Sequence, residues 1–117
     1  RYLANLYFKE LKLTNLVLPK LNKDNYHVYH LFTVYHKQRE KIIRELKKNL
    51  IEIRVIYPYP IHKMTPYKKF LGKNKRLNNA EKKSKGIFCL PLYPELKKEE
   101  VLKICSSIKK TMKKLSL

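Results

Sequence analysis

The sequence predicts an α+β domain in which a small sheet of about three mainly antiparallel strands is packed by helices on one face. Two kinds of apolar periodicity support this prediction. Both ends of the chain, and a segment after the first third, repeat apolar residues at the spacing of amphipathic helices. Between them lie short runs rich in Val, Ile, Tyr and Phe, which favour strands. A chain of 117 residues is long enough for one domain with its own core, so residues 1–117 are expected to form a single domain.

The spacing of apolar side chains predicts four helices. Residues 2–12, 37–49 and 97–115 each place apolar residues on one face and mainly charged residues on the other. Residues 77–85 predict a short, lysine-rich helix. The last helix has the clearest apolar stripe, which comprises Val101, Ile104, Cys105, Ile108, Met112 and Leu115.

Three strands and one short extended piece are predicted between the helices. Residues 26–36 are apolar on both faces, which is typical of a central strand. Residues 51–56 alternate and form the second strand, and residues 86–92 form the third. Pro91 places the third strand at an edge or ends it there, because proline cannot donate a ladder hydrogen bond. Residues 16–18 are expected to be extended.

A proline-containing loop is predicted at residues 57–76, and its first half carries Tyr57, Tyr59, His62 and Tyr67. Tyrosine offers a flat apolar face and one hydroxyl, which suits a sugar or a nucleobase. Histidine can hydrogen-bond a phosphate or a hydroxyl. The residues alone leave two interpretations open: the loop binds a ligand, or its side chains only pack the loop against the domain.

The formal net charge of +19 suggests a polyanionic partner. On this interpretation the chain is a small basic RNA- or DNA-binding module, in which lysines meet phosphates and tyrosines meet bases. The lysines, however, are scattered over every segment, so a general bias in residue usage explains the charge equally well. Nucleic acid is therefore the alternative partner and not the leading one.

Two cysteines, Cys89 and Cys105, do not make a disulfide framework. Both lie in apolar patterns and are expected to be buried, reduced thiols in a cytoplasmic protein. No run of about 18 or more apolar residues is present, so neither a transmembrane helix nor a membrane partner is predicted.

No self-contained catalytic or metal-binding motif is present. His27 and His30 form an H-x-x-H pair, but on a strand this spacing places the two rings on opposite faces. No cysteine or carboxylate pair stands nearby to complete a metal site, so structural roles are expected for both histidines. Nucleophile elbows and phosphate-cradling glycine loops are also missing from the sequence.

Five segments resemble, in order and spacing, the C-terminal part of the DegT/StrS-type sugar aminotransferases, which are pyridoxal phosphate-dependent enzymes of fold type I. The segments are HVYHLFTV (27–34), KQREKIIRELKKN (37–49), IEIRVIYPYPIH (51–62), NAEKKSK (79–85) and LPLYPEL (90–96). The resemblance extends over most of the chain. It implies that this chain is a C-terminal small domain and that a large catalytic domain is missing upstream.

Members of this family bind pyridoxal 5'-phosphate on a lysine of the large domain. They transfer an amino group, usually from glutamate, to a keto group of a nucleotide-linked sugar, for amino-sugar and surface-polysaccharide biosynthesis. The resemblance thus implies no catalytic, cofactor-binding or metal-binding residue in this chain and no activity of the chain alone. It also implies a homodimer for the intact protein.

By the same resemblance, Tyr57 and His62 match the Tyr and His of the family's "H-Y-P-x-P-x-H" loop and are the expected substrate contacts. Arg54 is the third candidate, because a guanidinium can bind an anionic substrate group through two hydrogen bonds. Four positions depart from the family pattern: Ile56 replaces a common His, Leu50 a common Gly, Ile53 a common Thr and Lys97 a common helix-capping Thr.

Overall fold

The computed structural model describes residues 1–71 and 76–117, so the predicted loop at 57–76 lies partly outside the described residues. The helices are Tyr2–Leu11 (α1), Arg39–Lys48 (α2), Lys68–Leu71 (α3), Asn78–Ser84 (α4) and Lys98–Lys114 (α5), and the strands are Phe32–Tyr35 (β1) and Ile87–Leu90 (β2). All four predicted helices are therefore present. Among the described residues, every helix is too short or too polar to cross a membrane.

The sheet is antiparallel, as predicted, but in the part of the chain that the structure describes its ladder has two strands and not three. β1 pairs with β2, and the predicted strand at 51–56 adds only one isolated bridge, between Arg54 and Cys89. Pro91 explains the missing ladder, because in this register it lies opposite Glu52 and has no N–H group to donate. On the other edge, the predicted extended piece contributes one bridge, between Val17 and a residue of β1.

The predicted strand at 26–36 begins only at Phe32. Tyr29 has a φ of 49°, which is the left-handed region and breaks an extended chain. The turn is held by the Nδ1 atom of His27, which accepts a hydrogen bond from the Tyr29 N–H at 2.9 Å. Tyr29 is thereby directed into the core, whereas His27 and His30 stay exposed. The structural role of His27 is therefore to hold this turn.

The core lies on one face of the sheet, between the sheet and helices α1, α2 and α5, which confirms the predicted placement of helices. Thr33 and Cys89 lie on the opposite face and pair across the two strands. Cys89 and Cys105 are both buried free thiols, as expected, and burial raises the pKa of Cys105 to about 12. The largest fully buried side chains are Tyr7, Phe32, Phe88, Leu11, Ile42, Leu46 and Ile108.

Helix α5 is joined to α2 by an ion pair centred on Glu45. The Glu45 carboxylate accepts hydrogen bonds from Lys48 and from Lys114 of α5, each at 2.6 Å. These two bonds lower the pKa of Glu45 from its ordinary value of 4.5 to about 2. The carboxylate therefore stays ionised through nearly the whole acidic range of the folded protein.

The Glu45 pair predicts an acid-dependent loss of stability. The folded pKa lies below the unfolded one, so its stabilisation is present above about pH 4.5 and is lost as the pH falls toward 2. Glu45→Gln is expected to lower the free energy of unfolding at pH 7 and to have a much smaller effect near pH 2, as measured by urea denaturation. Glu95→Gln, at an exposed position, is the control. A Glu45→Gln effect that is independent of pH would contradict the prediction.

Helix α2 ends in a turn whose conformation favours glycine. The Leu50 N–H donates to the Lys47 carbonyl at 3.0 Å, and the Ile51 N–H donates to the Leu46 carbonyl at 3.1 Å. This pair of bonds is the Schellman motif, in which the residue after the cap adopts a left-handed conformation. Leu50 occupies that position with a φ of 58° and a relative exposure of 96%. Leu50, at a position where the family commonly has glycine, is therefore held in a locally strained backbone conformation.

Leu50→Gly is expected to raise the free energy of unfolding by about 0.5–1 kcal/mol. The substitution removes the cost of a left-handed conformation for a residue with a Cβ atom, which is about 1–2 kcal/mol. The greater conformational freedom of glycine in the unfolded chain offsets about 0.5–1 kcal/mol of this gain. Little packing is lost, because the leucine side chain is exposed. Leu50→Ala keeps the Cβ atom and is expected to give no gain. Equal stabilisation by Ala and Gly in thermal or urea unfolding would show that φ is not the cause.

The start of α5 has a partial substitute for the threonine cap that the sequence lacks. The Glu100 carboxylate accepts a hydrogen bond from the Lys97 N–H at 2.7 Å. This is one half of a capping box. The other half requires a side-chain oxygen at position 97, which lysine does not have.

Candidate functional site

A cleft of about 590 Å³ opens beside the end of β2. One wall is the segment 49–56, and the other is formed by residues 89–93 and the first turns of α5. Tyr7 supports the second wall from within the core, because its hydroxyl donates to the Pro91 carbonyl at 2.7 Å. Burial raises the pKa of Tyr7, which keeps the hydroxyl protonated as a donor. The polar side chains that line the cleft include Glu52, Arg54, Tyr93, Glu100 and Lys103.

Arg54 is placed in the cleft by its backbone. The Cys89 N–H donates to the Arg54 carbonyl at 2.8 Å, and the Arg54 N–H donates in return at 3.4 Å. The Arg54 side chain is 71% exposed, and its Nε atom lies 2.9 Å from a carboxylate oxygen of Glu52. Exposed ion pairs contribute little stability, so an incoming anion can compete with Glu52 for this side chain. The geometry is compatible with the anion-binding role expected for Arg54.

Tyr57 is adjacent in sequence to the lining of the same cleft. It directly follows Ile56, which is one of the lining residues, and its own side chain is 60% exposed. Among the described residues its hydroxyl has no hydrogen-bond partner. A free hydroxyl on an exposed ring next to a cleft is able to contact a polar ligand.

The loop that follows Tyr57 is wound into two single 3₁₀ turns, Ile61–Lys63 and Thr65–Tyr67, and then into α3. Short backbone hydrogen bonds hold these turns, such as the one from the Lys63 N–H to the Pro60 carbonyl at 2.8 Å. Several large side chains project into solvent from this stretch, namely Tyr57, Tyr59, Ile61 and Tyr67. The loop is ordered by its own turns and presents an aromatic surface.

His62 is directed inward, unlike its neighbours. It is only 9% exposed, and its Nε2 atom lies 3.1 Å from a carboxylate oxygen of Glu81 in α4. The Nζ atom of Lys63 lies 3.5 Å from the other oxygen of the same carboxylate. The hydrogen bond from His62, more than the nearby Lys63, lowers the pKa of Glu81. The ionised carboxylate of Glu81 therefore accepts a hydrogen bond from the Nε2–H group of His62.

The three predicted site residues thus occupy different surroundings. Arg54 lines the cleft, Tyr57 follows the lining residue Ile56, and His62 contacts α4. The sequence reasoning did not single out Glu81, although it falls within the NAEKKSK segment. Glu81 carries no sign of its role in the sequence, since its partner is 19 residues away. Within residues 1–71 and 76–117, no group of three or more His, Cys, Asp or Glu side chains is placed to hold a metal ion.

Comparison with known proteins gives the chain a family. Residues 1–109 match the DegT/DnrJ/EryC1/StrS aminotransferase family. A pleiotropic regulatory protein of Geobacillus stearothermophilus is 35% identical over 85 residues, which cover 73% of this chain and 23% of that protein. A dTDP-3-amino-3,4,6-trideoxy-alpha-D-glucose transaminase of Micromonospora megalomicea is 34% identical over 82 residues, which cover 69% of this chain and 22% of the enzyme.

Solved structures give the same result. The DesV structure from S. venezuelae, in complex with a ketimine intermediate, superposes with a TM-score of 0.86 at 27% identity. The match covers 93% of this chain and 30% of DesV. The structure of the ntda protein of Bacillus subtilis, with bound cofactor PMP, superposes with a TM-score of 0.79 at 28% identity. This match covers 96% of this chain and 27% of the ntda protein. This chain thus spans less than a third of each of these proteins, and it belongs to the DegT/DnrJ/EryC1/StrS aminotransferase family.

Proposed function

We propose that this chain is the C-terminal small domain of a pyridoxal phosphate-dependent aminotransferase that acts on a nucleotide-linked sugar. The family match over residues 1–109 carries the proposal, and the chain's coverage of less than a third of its relatives supports a domain role. The upstream large domain supplies the cofactor lysine, and glutamate is the amino donor. The intact enzyme is a cytoplasmic homodimer that serves amino-sugar and surface-polysaccharide biosynthesis.

We further propose that the cofactor is bound by the upstream large domain and not by this chain. Enzymes that use pyridoxal phosphate place a lysine at the carbonyl carbon of the cofactor. They place an Asp or an Arg at its pyridine nitrogen. The single aspartate of the chain, Asp24, is exposed and lies outside the cleft, and the cleft residues Arg54 and Lys103 are both exposed to solvent. We therefore expect the isolated chain to have no transaminase activity. Stoichiometric binding of pyridoxal phosphate by the chain alone, detected by absorbance, would contradict the proposed placement.

Within the complete enzyme, the cleft and the loop form one wall of the nucleotide-sugar site. Arg54 binds an anionic group of the substrate, for which the nucleotide phosphates are suited. Tyr57 donates its hydroxyl to the sugar or to the phosphate. The role of His62 as a substrate contact stays a prediction, since its Nε2 atom is bonded to Glu81. The family match gives no support to the alternative of an RNA- or DNA-binding module.

Tyr57→Phe in the complete enzyme is expected to raise the KM for the nucleotide sugar about three- to tenfold, because one hydrogen bond of about 0.5–1.5 kcal/mol is lost. The value of kcat is expected to change less than about twofold, since the bond serves ground state and transition state alike. Steady-state kinetics with varied nucleotide sugar provide the measurement.

Tyr59→Phe is the matched control for this substitution, because Tyr59 is equally exposed in the same loop and lies farther along the chain from the cleft. It is expected to leave KM unchanged. Equal KM values for the wild-type enzyme and Tyr57→Phe would remove Tyr57 from the site.

A further inference from the structure

We infer that Glu81 is the positioning residue of the substrate loop at residues 57–67 and that it acts through His62. The inference rests on the proposed function, because the purpose of the positioning is to hold Tyr57 at the cleft. Glu81 itself contacts neither the cleft nor Tyr57. Its effect is transmitted through the loop, in three structural steps.

The first step is a carboxylate that receives donors from two sides. From the loop, the Nε2 atom of His62 lies at 3.1 Å and the Nζ atom of Lys63 at 3.5 Å. From the helix side, the Leu77 N–H donates to Glu81 at 3.3 Å. The carboxylate thus joins the loop to the start of α4. The His62 side chain is buried in this contact, so the bond is protected from competing water.

The second step is the lack of another polar anchor within the described residues. Among residues 1–71 and 76–117, His62 and Lys63 are the only residues of the loop at 57–67 with a hydrogen bond or ion pair to a residue outside the loop and the adjoining α3. The large side chains of Tyr57, Tyr59 and Ile61 are more than half exposed, so they bury little apolar surface against the domain. The position of the loop therefore depends on the contact with Glu81.

The third step is a stiff connection between the anchor and the substrate contact. Only four residues separate Tyr57 from His62, and two of them are Pro58 and Pro60. Proline fixes φ near −65°, and Pro60 has a φ of −68° in an extended conformation. With two fixed φ angles, the segment has less freedom to absorb a displacement of His62 locally. Release of His62 is therefore expected to move Tyr57 relative to the cleft.

The anchor is tested first on the 117-residue chain by hydrogen exchange of the loop amides. Glu81→Ala is expected to accelerate exchange at Lys63, Met64 and Tyr67 by about tenfold or more, because these amides are protected only by the loop's own turns. Amides of β1 and β2 are expected to change less than about twofold, since a local opening does not unfold the core. Glu81→Gln keeps one acceptor oxygen and is expected to restore most of the protection.

Glu95→Ala, an exposed carboxylate outside the loop, is the control and is expected to leave exchange at wild-type rates. Loop exchange that is unchanged in Glu81→Ala overturns the inference, whatever the kinetics show. An equal acceleration in the loop and in the strands also overturns it, because Glu81 would then contribute only to global stability.

The link to substrate is tested in the complete enzyme. Glu81→Ala is expected to raise the KM for the nucleotide sugar about threefold or more with little change in kcat, and Glu81→Gln to restore it. When Glu81→Ala is combined with Tyr57→Phe, the KM is expected to rise little above that of Tyr57→Phe alone. Both changes remove the same contact, which is the one between the Tyr57 hydroxyl and the substrate. If Tyr57→Phe raises KM and Glu81→Ala does not, the inference is overturned. If exchange rises and neither variant alters KM, the anchor is supported and the substrate contact of Tyr57 is refuted.

Discussion

Replacing Phe32 with alanine is expected to lower the free energy of unfolding by about 3–5 kcal/mol. Phe32 is fully buried at the first position of β1, and three aromatic rings surround it. The ring centroids of Tyr7, Phe8 and Tyr29 lie 4.9, 5.2 and 6.2 Å from its own. Truncation to alanine leaves a cavity that these large rings cannot fill without leaving their rotamers.

Urea denaturation of the 117-residue chain provides the measurement. Phe32→Leu is the matched variant, because it keeps an apolar side chain of similar reach, and it is expected to cost less than half as much. Thr33→Ala, on the opposite face of the same strand, controls for the substitution of a β-residue by alanine. A loss below about 1 kcal/mol in Phe32→Ala would mean that the aromatic cluster closes around the gap.

The same cluster shows where sequence reasoning about the fold succeeds and where it does not. Periodicity correctly predicts the α+β class, the four helices and the strand that contains Phe32, because these features depend on local patterns of burial. It fails at Tyr29, whose residue type favours a strand. Its left-handed φ is stabilised by a hydrogen bond to His27 and by packing in the core, and neither is visible as a repeat.

The second strand illustrates a different limit. Residues 51–56 have the alternation of a strand, and Ile51, Ile53 and Val55 are indeed less exposed than the residues between them. Whether a ladder forms depends on the partner strand, which has Pro91 at the position opposite Glu52. The pairing register that brings these two residues together is a property of the tertiary structure, so the number of paired strands was wrong while the antiparallel direction was right.

The candidate site likewise contains residues that the sequence identifies and a residue that it does not. Tyr57 and His62 were identified from a short contiguous motif of the family and Arg54 from the chemistry of its guanidinium, and of the three only Arg54 is a lining residue of the cleft. Glu81 was missed because its importance comes from a contact with His62 that only the fold creates. Residues that touch a ligand are often grouped in one loop, whereas residues that hold such a loop are drawn from any element that passes nearby.

A second large loss of stability is expected for Gly86→Ala, about 1–3 kcal/mol. The φ of Gly86 is outside the left-handed region, so the backbone conformation itself accepts alanine. Space is the limiting factor, because an added Cβ atom would overlap the Cε2 atom of the Tyr35 ring and would lie 2.7 Å from its Cδ2 atom and 2.8 Å from the His36 carbonyl oxygen. The Nζ atom of Lys83 lies over this ring, 4.4 Å from its centroid, so a ring that moves away also gives up a cation–π contact.

The two clashes of Gly86→Ala can be separated by a double-mutant cycle with Tyr35→Ala, followed by urea denaturation. Removal of the ring is expected to recover only part of the loss, because the His36 N–H donates to the Gly86 carbonyl at 3.0 Å and holds the two backbones together. Lys85→Ala, the preceding exposed position, is the control and is expected to change stability by less than about 0.5 kcal/mol. Full recovery in the double variant would assign the whole effect to the ring, and no loss in Gly86→Ala would show that β1 and β2 can separate enough at this point to admit a methyl group.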